Sequence, residues 1–242
     1  MTERLPLFPL NSVLYPGLVL PLNVFEERYR RLVADLLAQP EDRPRRFGVL
    51  AIKDGREVSP VRESEGPAGP LDGLGTATGD PLEALHHIGC VADVASVQPQ
   101  PDGRYELLVT GTTRFWLRSV DTGGPYLTGE VETIEEEPGE GAGALAAGVE
   151  RAFRAYQKRL AGAREATVVG EQELPADPQV LSYLVAAASV FDTPVKQRLL
   201  ACPDTAQRLT AELELLRRET AVLAWLPSLP AVDLTRQSFS PN

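Results

Sequence analysis

Cysteine and histidine are scarce in this chain of 242 residues, which contains two of each. Cys90 and Cys202 lie 112 positions apart, so they form neither a disulfide framework nor a Cys-x-x-Cys zinc or redox motif. His86 and His87 are adjacent and would point to opposite sides of a strand, which disfavours a histidine metal site and a catalytic triad. The sequence therefore implies no metal ion and no cofactor.

Motifs for nucleotide binding and hydrolysis are also missing. The three lysines, Lys53, Lys158 and Lys196, do not stand in a Gly-x-x-x-x-Gly-Lys-Ser/Thr loop, whose amides and lysine would hold phosphates. The sequence has no Gly-x-Ser-x-Gly elbow and no His-Glu-x-x-His helix. The adjacent Glu26 and Glu27 would diverge on a helix and do not make a catalytic pair. These absences predict a protein that is not an enzyme; a hydrolase with an unrecognised site is kept as an alternative.

Long apolar runs and an excess of positive charge are absent too. No stretch approaches the roughly 18 residues of a membrane span, and the first residues do not form a signal peptide, so a cytoplasmic protein without membrane contact is expected. With 13 basic and 22 acidic residues, 1–138 carry a net charge of −9, which disfavours nucleic acid as a partner. Arg43, Arg45 and Arg46 form the strongest basic cluster and are interpreted as a solvated loop. RNA binding is kept as an alternative function.

Residues 1–138 are rich in valine, proline, glycine and short apolar runs, which predicts a β-rich subdomain. The predicted strands cover 47–52, 88–97, 105–110, 113–120 and 126–134, after proline-punctuated runs over 5–10 and 12–22. Apolar residues at helical spacing predict one amphipathic helix over 24–38, with Asn23 as its N-cap. Several short strands with one early helix predict a small, partly closed barrel.

Residues 139–242 are rich in alanine, leucine and arginine at helical spacing, which predicts a helical subdomain. The predicted helices, whose starts are marked by Asp177, Thr193 and Asp204, cover 142–162, 178–190, 194–201 and 205–225. The fold class is therefore α+β, with a β-rich subdomain over 1–138 and a helical one over 139–242. Residues 54–84 hold six glycines and four prolines and predict a long loop, either disordered or a lid over a binding surface.

One strand carries an uncommon pair of side-chain types. Alternation along 113–118 places Phe115 and Leu117 on one face and Arg114, Trp116 and Arg118 on the other. If phenylalanine and leucine face the core, the tryptophan is exposed between two arginines. Exposed tryptophan and arginine are favoured at interaction hot spots, so this strand is a candidate contact for a partner. Packing of Trp116 under a loop or against the helices is the alternative.

Ordered motifs along most of the chain resemble one known family. In the first part they are Leu5-Pro-Leu-Phe-Pro-Leu10, Val13-Leu-Tyr-Pro-Gly17, Leu20-Pro-Leu22 and Phe25-Glu-x-Arg-Tyr29. Further along they are Ile88-Gly-Cys-Val-Ala92, Asp102-Gly-Arg104, Gly111-x-x-Arg-Phe115, Lys196-Gln-x-Leu-Leu200 and Arg208-Leu209. With these motifs the chain resembles the amino-terminal, substrate-binding domain of Lon proteases over about residues 5–220.

The resemblance implies a PUA-like β pseudobarrel followed by a helical bundle. It also implies a module that holds unfolded or tagged polypeptides, whereas the ATPase motor and Ser-Lys peptidase of the family proteases have no counterpart among these motifs. We therefore expect a stand-alone, non-catalytic Lon-type protein that binds unfolded or exposed apolar polypeptide or a protein partner. Service as an adaptor to a separate ATP-dependent protease or chaperone is one form of this function.

A peptide-binding groove near the β-rich part is expected to involve five residues. The candidates are Tyr15, Phe25, Tyr29, Arg114 and Trp116. Phe25 and Tyr29 also fit the apolar core stripe of the first helix, which is the competing interpretation of both. The sequence departs from the family pattern at Cys90, where a small hydroxyl residue is usual, and in the long loop.

Overall fold

The computed structural model describes residues 2–40, 42–53, 81–163 and 173–225. Its strands are β1 (Thr2–Leu10), β2 (Val19–Val24), β3 (Arg46–Ala51), β4 (Ile88–Pro99), β5 (Tyr105–Asp121) and β6 (Thr128–Thr133). Its helices are α1 (Glu27–Leu37), α2 (Pro81–Ala84), α3 (Ala142–Ala163), α4 (Pro178–Ala188), α5 (Thr193–Leu200) and α6 (Thr205–Trp225). The combination of one sheet with separate helices confirms the α+β class. Apart from α2, the predicted loop lies outside the described residues.

Contacts divide the chain into two units. The first unit comprises Met1–Glu136 together with Ala186–Ala201, and the second comprises Glu137–Val185 together with Cys202–Asn242. The segment that contains α5 therefore belongs with the strands by its contacts. The division of the chain into subdomains over 1–138 and 139–242 stays a prediction.

The strands of the first unit form a closed barrel. Their order is β2-β5-β4-β3-β1-β6, and β6 also pairs with β5, which closes five of the strands into a ring. β2 lies outside this ring of five strands and pairs with the amino-terminal part of β5. β1 and β3 are parallel, and the other neighbours are antiparallel. The two strands predicted over 105–110 and 113–120 are one long strand, β5. Its first part pairs with β2 and its last part pairs with β6, and its pairing with β4 and β6 contains register shifts.

Helix α1 begins three residues later than predicted. Asn23 is not its N-cap, because this residue pairs with Glu106 in the ladder between β2 and β5 and is therefore part of a strand. Glu26 occupies the N-cap position without a side-chain hydrogen bond. The apolar face of α1 packs on the outside of the barrel, where the rings of Tyr29 and Phe8 stack with centroids 4.1 Å apart. Phe25 thus precedes the helix and does not share this face.

Gly89 of β4 lies where neighbouring parts of the barrel approach closely. A Cβ atom at this position would lie 2.4 Å from the carbonyl oxygen of Val49 and 2.6 Å from Cζ of Phe115. We expect Gly89→Ala to lower the free energy of unfolding by about 1 to 3 kcal/mol, because these packed neighbours would have to move.

Gly148→Ala is the matched control for Gly89→Ala. In α3 the added methyl group would lie 3.7 Å from Leu213, an ordinary contact, and alanine should stabilise the helix by about 0.5 to 1 kcal/mol. Urea unfolding measures both variants. Changes of the same sign in the two variants would contradict the close approach at Gly89.

The second unit is built around α3 and α6, which pack side by side. Buried residues on their facing stripes are Val149, Phe153, Tyr156, Leu209 and Leu216. Asp204 caps α6 by accepting a hydrogen bond of 2.7 Å from the backbone N–H of Gln207, as the sequence predicts. Asp177 likewise caps α4 through the backbone N–H of Val180. Among the described helices, none is long and apolar enough to cross a membrane.

Helix α5 is held against the strands of the first unit by polar contacts. Its cap is Asp192 rather than the predicted Thr193, since the Asp192 carboxylate accepts from the backbone N–H of Val195. Thr193 instead donates its hydroxyl hydrogen to the carbonyl oxygen of Asn11. The Gln197 amide donates to the carbonyl oxygen of Ile88 at the start of β4 over 2.8 Å. These contacts explain why a helix late in the chain belongs to the first unit.

Candidate functional site

Arg114 of β5 is buried, with 1% of its surface exposed. Its Nε donates to Glu136 over 2.6 Å, and its Nη1 donates to the carbonyl oxygen of Leu200, at the end of α5, over 2.7 Å. Residue 114 thus faces outward from the barrel, as alternation predicts, but α5 covers it. The arginine therefore fastens α5 to the barrel and does not lie on an open surface.

Two of the other predicted residues, Tyr15 and Tyr29, are also buried. The hydroxyl of Tyr15 donates to the carbonyl oxygen of Lys196 in α5 over 2.8 Å. Tyr29 packs between α1 and the barrel, and burial raises its pKa to about 12. Both tyrosines therefore stabilise the fold and do not lie on an open surface.

Trp116 is exposed over 39% of its surface, while its neighbours Phe115 and Leu117 are buried, as alternation predicts. The guanidinium of Arg118 lies 5.2 Å from the centre of the Trp116 ring and donates to Glu132 of β6 over 2.8 Å. Because Arg114 is covered by α5, only one of the two expected arginines accompanies the tryptophan at the surface. Trp116, Arg118 and Glu132 form a preordered patch, here called the Trp116 patch.

A second exposed apolar surface follows β2. Side chains of alternate residues on its outer face are Val19, Pro21 and Asn23, and Phe25 continues the row beyond the end of the strand. Val19 is exposed over 57% and Phe25 over 64% of its surface. Leu108 of β5 is paired with Pro21 and is itself 40% exposed. Val19, Pro21, Phe25 and Leu108 are here called the β2 surface.

The β2 surface ends at a small cavity. Its volume is about 230 Å³, and its lining residues are Asn23, Phe25, Gln100, Arg104, Tyr105 and Glu106. This volume lies below the roughly 300 to 1,000 Å³ that is typical of small-molecule sites. A cavity of this size at the end of an apolar row is suited to a single side chain of an extended polypeptide.

Of the β2 surface, the sequence predicts only Phe25 as a binding residue, for two reasons. Val19 and Leu108 look like ordinary strand residues, and their outward orientation depends on the register between β2 and β5. Phe25 is one of the five predicted binding residues, but helical spacing also places it on the apolar stripe of a helix that begins only at Glu27. A signal was nevertheless present, since Pro21 marks an edge strand: proline has no N–H to donate to a second neighbour.

Possible metal ligands and the side chains of Cys90 and His86 are the remaining candidates for a chemical site. Within the described ranges, no three histidine, cysteine, aspartate or glutamate residues are grouped so as to hold a metal ion. Burial raises the pKa of the Cys90 thiol, which keeps it in the unreactive protonated form. Burial also lowers the pKa of His86. In the basic cluster, Arg46 pairs with Glu3 over 2.6 Å.

Comparison with known proteins identifies the same family that the sequence motifs resemble. The family model described as the ATP-dependent protease La (LON) substrate-binding domain matches residues 4–218. Lon protease 2 of Syntrophobacter fumaroxidans is 30% identical over 209 residues, which are 85% of this chain and 23% of the relative. The chain thus spans about a quarter of the length of this curated relative.

Two solved structures share the fold. A Lon N-terminal domain protein from Xanthomonas campestris is 24% identical, with a TM-score of 0.52, and the match covers 93% of this chain and 99% of that one. The N-terminal domain of a Lon protease from the Mycobacterium avium complex is 18% identical, with a TM-score of 0.59. That match covers 90% of this chain and 98% of the other.

Proposed function

Because this chain belongs to the family of Lon substrate-binding domains, we propose that it binds exposed apolar segments of polypeptide along the β2 surface. The proposal also assigns this binding to the cytoplasm and to a role without catalysis. An adaptor that presents such segments to a separate ATP-dependent protease or chaperone is the form of the function that we favour. The β-rich subdomain over 1–138 would then carry the binding surface.

The observation that carries the proposal is the exposure of the β2 surface. Exposed apolar side chains that stand singly are common, but three along an edge strand with a fourth beside them on the neighbouring strand are typical of a contact region. From Val19 to Phe25 the backbone advances six positions, or about 20 Å at the usual rise of a strand. This length matches an extended segment of about six residues, whose alternate side chains would face the row.

Edge pairing alone does not explain the expected binding. Among the described residues, β2 pairs only with β5, so its other edge is available for a further strand. Pro21 has no N–H group and interrupts the outer row of donors, as edge-protecting prolines do. Apolar contacts with the β2 surface therefore supply most of the affinity in this proposal. Ordering a flexible segment offsets much of that gain, so dissociation constants in the micromolar range or weaker are expected.

The five residues predicted for substrate binding divide into two groups under this proposal. Phe25 and Trp116 are accessible and are proposed to touch the polypeptide, Phe25 from the β2 surface and Trp116 from the Trp116 patch. Tyr15, Tyr29 and Arg114 are proposed to position the surrounding elements through their buried contacts.

Titration of fluorescein-labelled casein, a chain without a stable fold, measures the proposed binding by fluorescence anisotropy. We expect Phe25→Ser to weaken binding about tenfold or more, because burying such a side chain contributes about 1.5 to 3 kcal/mol. Val19→Ser should weaken it by a smaller factor, whereas Val180→Ser is the matched control at a valine of similar exposure in the second unit. Equal affinities of all four proteins would contradict the β2 surface as the binding site.

Two further measurements separate the alternatives. Binding to apolar polypeptide should change little between low and moderate salt, whereas RNA binding would fall steeply because it depends on counterion release. Incubation of the purified chain with casein and ATP should leave the casein intact. Cleavage by the pure protein would contradict the non-catalytic role.

A further inference from the structure

The second unit contains an apolar groove that the proposed function does not use. It lies between the carboxyl-terminal halves of α3 and α6, has a volume of about 320 Å³, and is lined by Ala152, Ala155, Ala221 and Ala224, with Arg159 and Arg217 at its sides. The hydroxyl of Thr220 also lines it but donates to the carbonyl oxygen of Leu216 within α6. The groove therefore has an apolar floor and a cationic rim.

Alanines form this groove beside the seam of large side chains that packs α3 against α6. The seam continues at the level of the groove, where Tyr156 of α3 and Leu216 of α6 are buried, whereas Ala155 and Ala221 are exposed. Alanine recurs at a spacing of three in both helices along the groove, so the small side chains leave space at one side of the seam. From Ala152 to Arg159 the groove extends about 10 Å along α3, which is about two helical turns.

Charge at the rim is the second observation. Arg159 and Arg217 are exposed and have no carboxylate within ion-pair distance among the described residues. Residues 151–163 contain four basic residues and no acidic one, although the whole chain has a net charge of −10. Helix dipoles favour cations only in the last turn, whereas all four of these cations precede the last turn of α3. Helix stability alone therefore does not explain the rim.

The charges select one kind of occupant. A second copy of this chain seated across a two-fold axis would bring the arginines of one rim towards those of the other, which is unfavourable. An amphipathic helix with apolar anchors at helical spacing and carboxylates beside them matches both the floor and the rim. We propose that the groove between α3 and α6 docks a short acidic amphipathic helix of a partner protein.

Two labelled peptides test this docking by fluorescence anisotropy. One has leucines at helical spacing on one face and glutamates on the other, and its counterpart has lysines in place of all the glutamates. The glutamate peptide should bind in a saturable manner and the lysine peptide should not. Equal binding of both peptides, or of neither, would overturn the proposal.

Charge reversal at the rim supplies the sharper comparison. The double variant Arg159→Glu with Arg217→Glu should bind the glutamate peptide at least tenfold more weakly and should gain affinity for the lysine peptide. Arg43→Glu with Arg151→Glu has the same net charge but leaves the groove lining intact, and it should bind as the wild type does. Equal losses of affinity in the two double variants would show that the arginines act only through the net charge of the chain, and this result would overturn docking in the groove.

Two more variants separate this site from its competitors. Ala221→Leu fills the groove without altering charge and should also abolish binding, whereas Phe25→Ser should leave it unchanged, since the β2 surface is a different site. If Phe25→Ser lost the binding of the glutamate peptide, the peptide would bind at the β2 surface, and docking in the groove would be overturned. Sedimentation should show the same oligomeric state for the wild type and the rim variant; a dimer lost on charge reversal would identify a second copy as the occupant.

Discussion

Arg114→Met is expected to lower the free energy of unfolding by about 3 kcal/mol, at the lower end of the range for breaking a buried ion pair. The arginine is fully buried and donates to Glu136 and to the carbonyl oxygen of Leu200. Methionine fills part of the space but donates nothing, so the carboxylate and the carbonyl lose their donor in a site largely shielded from water. Urea unfolding followed by circular dichroism measures the loss.

Arg118→Met is the matched control on the same strand. Arg118 also pairs with a glutamate, Glu132, but both side chains are about half exposed, so water replaces the lost contact. Its effect should be much smaller than that of Arg114→Met. Comparable losses would mean that the contacts of Arg114 with α5 do not stabilise the first unit.

Glu212→Gln is expected to abolish a loss of stability that the wild-type chain shows as the pH rises. Glu212 of α6 is fully buried, and neither carboxylate oxygen has a hydrogen-bond partner in the described part of the chain. Burial raises the pKa of this carboxyl group well above its usual value, and the charge of Arg208 one turn earlier offsets only part of the shift. The folded chain therefore keeps a proton that the unfolded chain releases.

The direction of the pH effect follows from this difference. The contribution of Glu212 to the free energy of unfolding should be fully present below the unfolded pKa of about 4.3 and should fall above it by up to about 1.4 kcal/mol per pH unit, until the folded pKa is reached. Glutamine keeps the shape of the side chain and does not titrate, so the free energy of unfolding of the variant should increase relative to that of the wild type as the pH rises. Unfolding by urea at several pH values between 5 and 8 measures the slope.

Glu214→Gln provides the control for the pH slope. Glu214 is on the same helix but is exposed, so its replacement should leave the pH dependence of the wild type in place. If Glu212→Gln and the wild type have parallel profiles, Glu212 is ionised in the folded chain and Arg208 compensates its charge.

The β2 surface and the groove differ in how their affinities should respond to salt. Contacts along the β2 surface are apolar, whereas the rim of the groove is cationic and its attraction is screened by added ions.

The sequence determined the local elements and the family. Apolar residues repeat every two or every three to four positions, and these periods specified the strands and helices to within a few residues in most cases. Caps such as Asp204 were recognisable because they act on N–H groups only three positions away. The ordered motifs were sufficient for the family, since they extend along nearly the whole matched region.

Only the tertiary structure decided which outward-facing residues are accessible. Alternation places Arg114 and Trp116 on the same face of β5, yet α5 buries the first and leaves the second exposed. Arg114 and Leu200 are 86 positions apart, far beyond the reach of any local pattern. The β2 surface depends in the same way on strand register, and the groove on two helices that are distant in sequence. Burial is a property of the elements that come to cover a residue, and a local sequence pattern does not contain them.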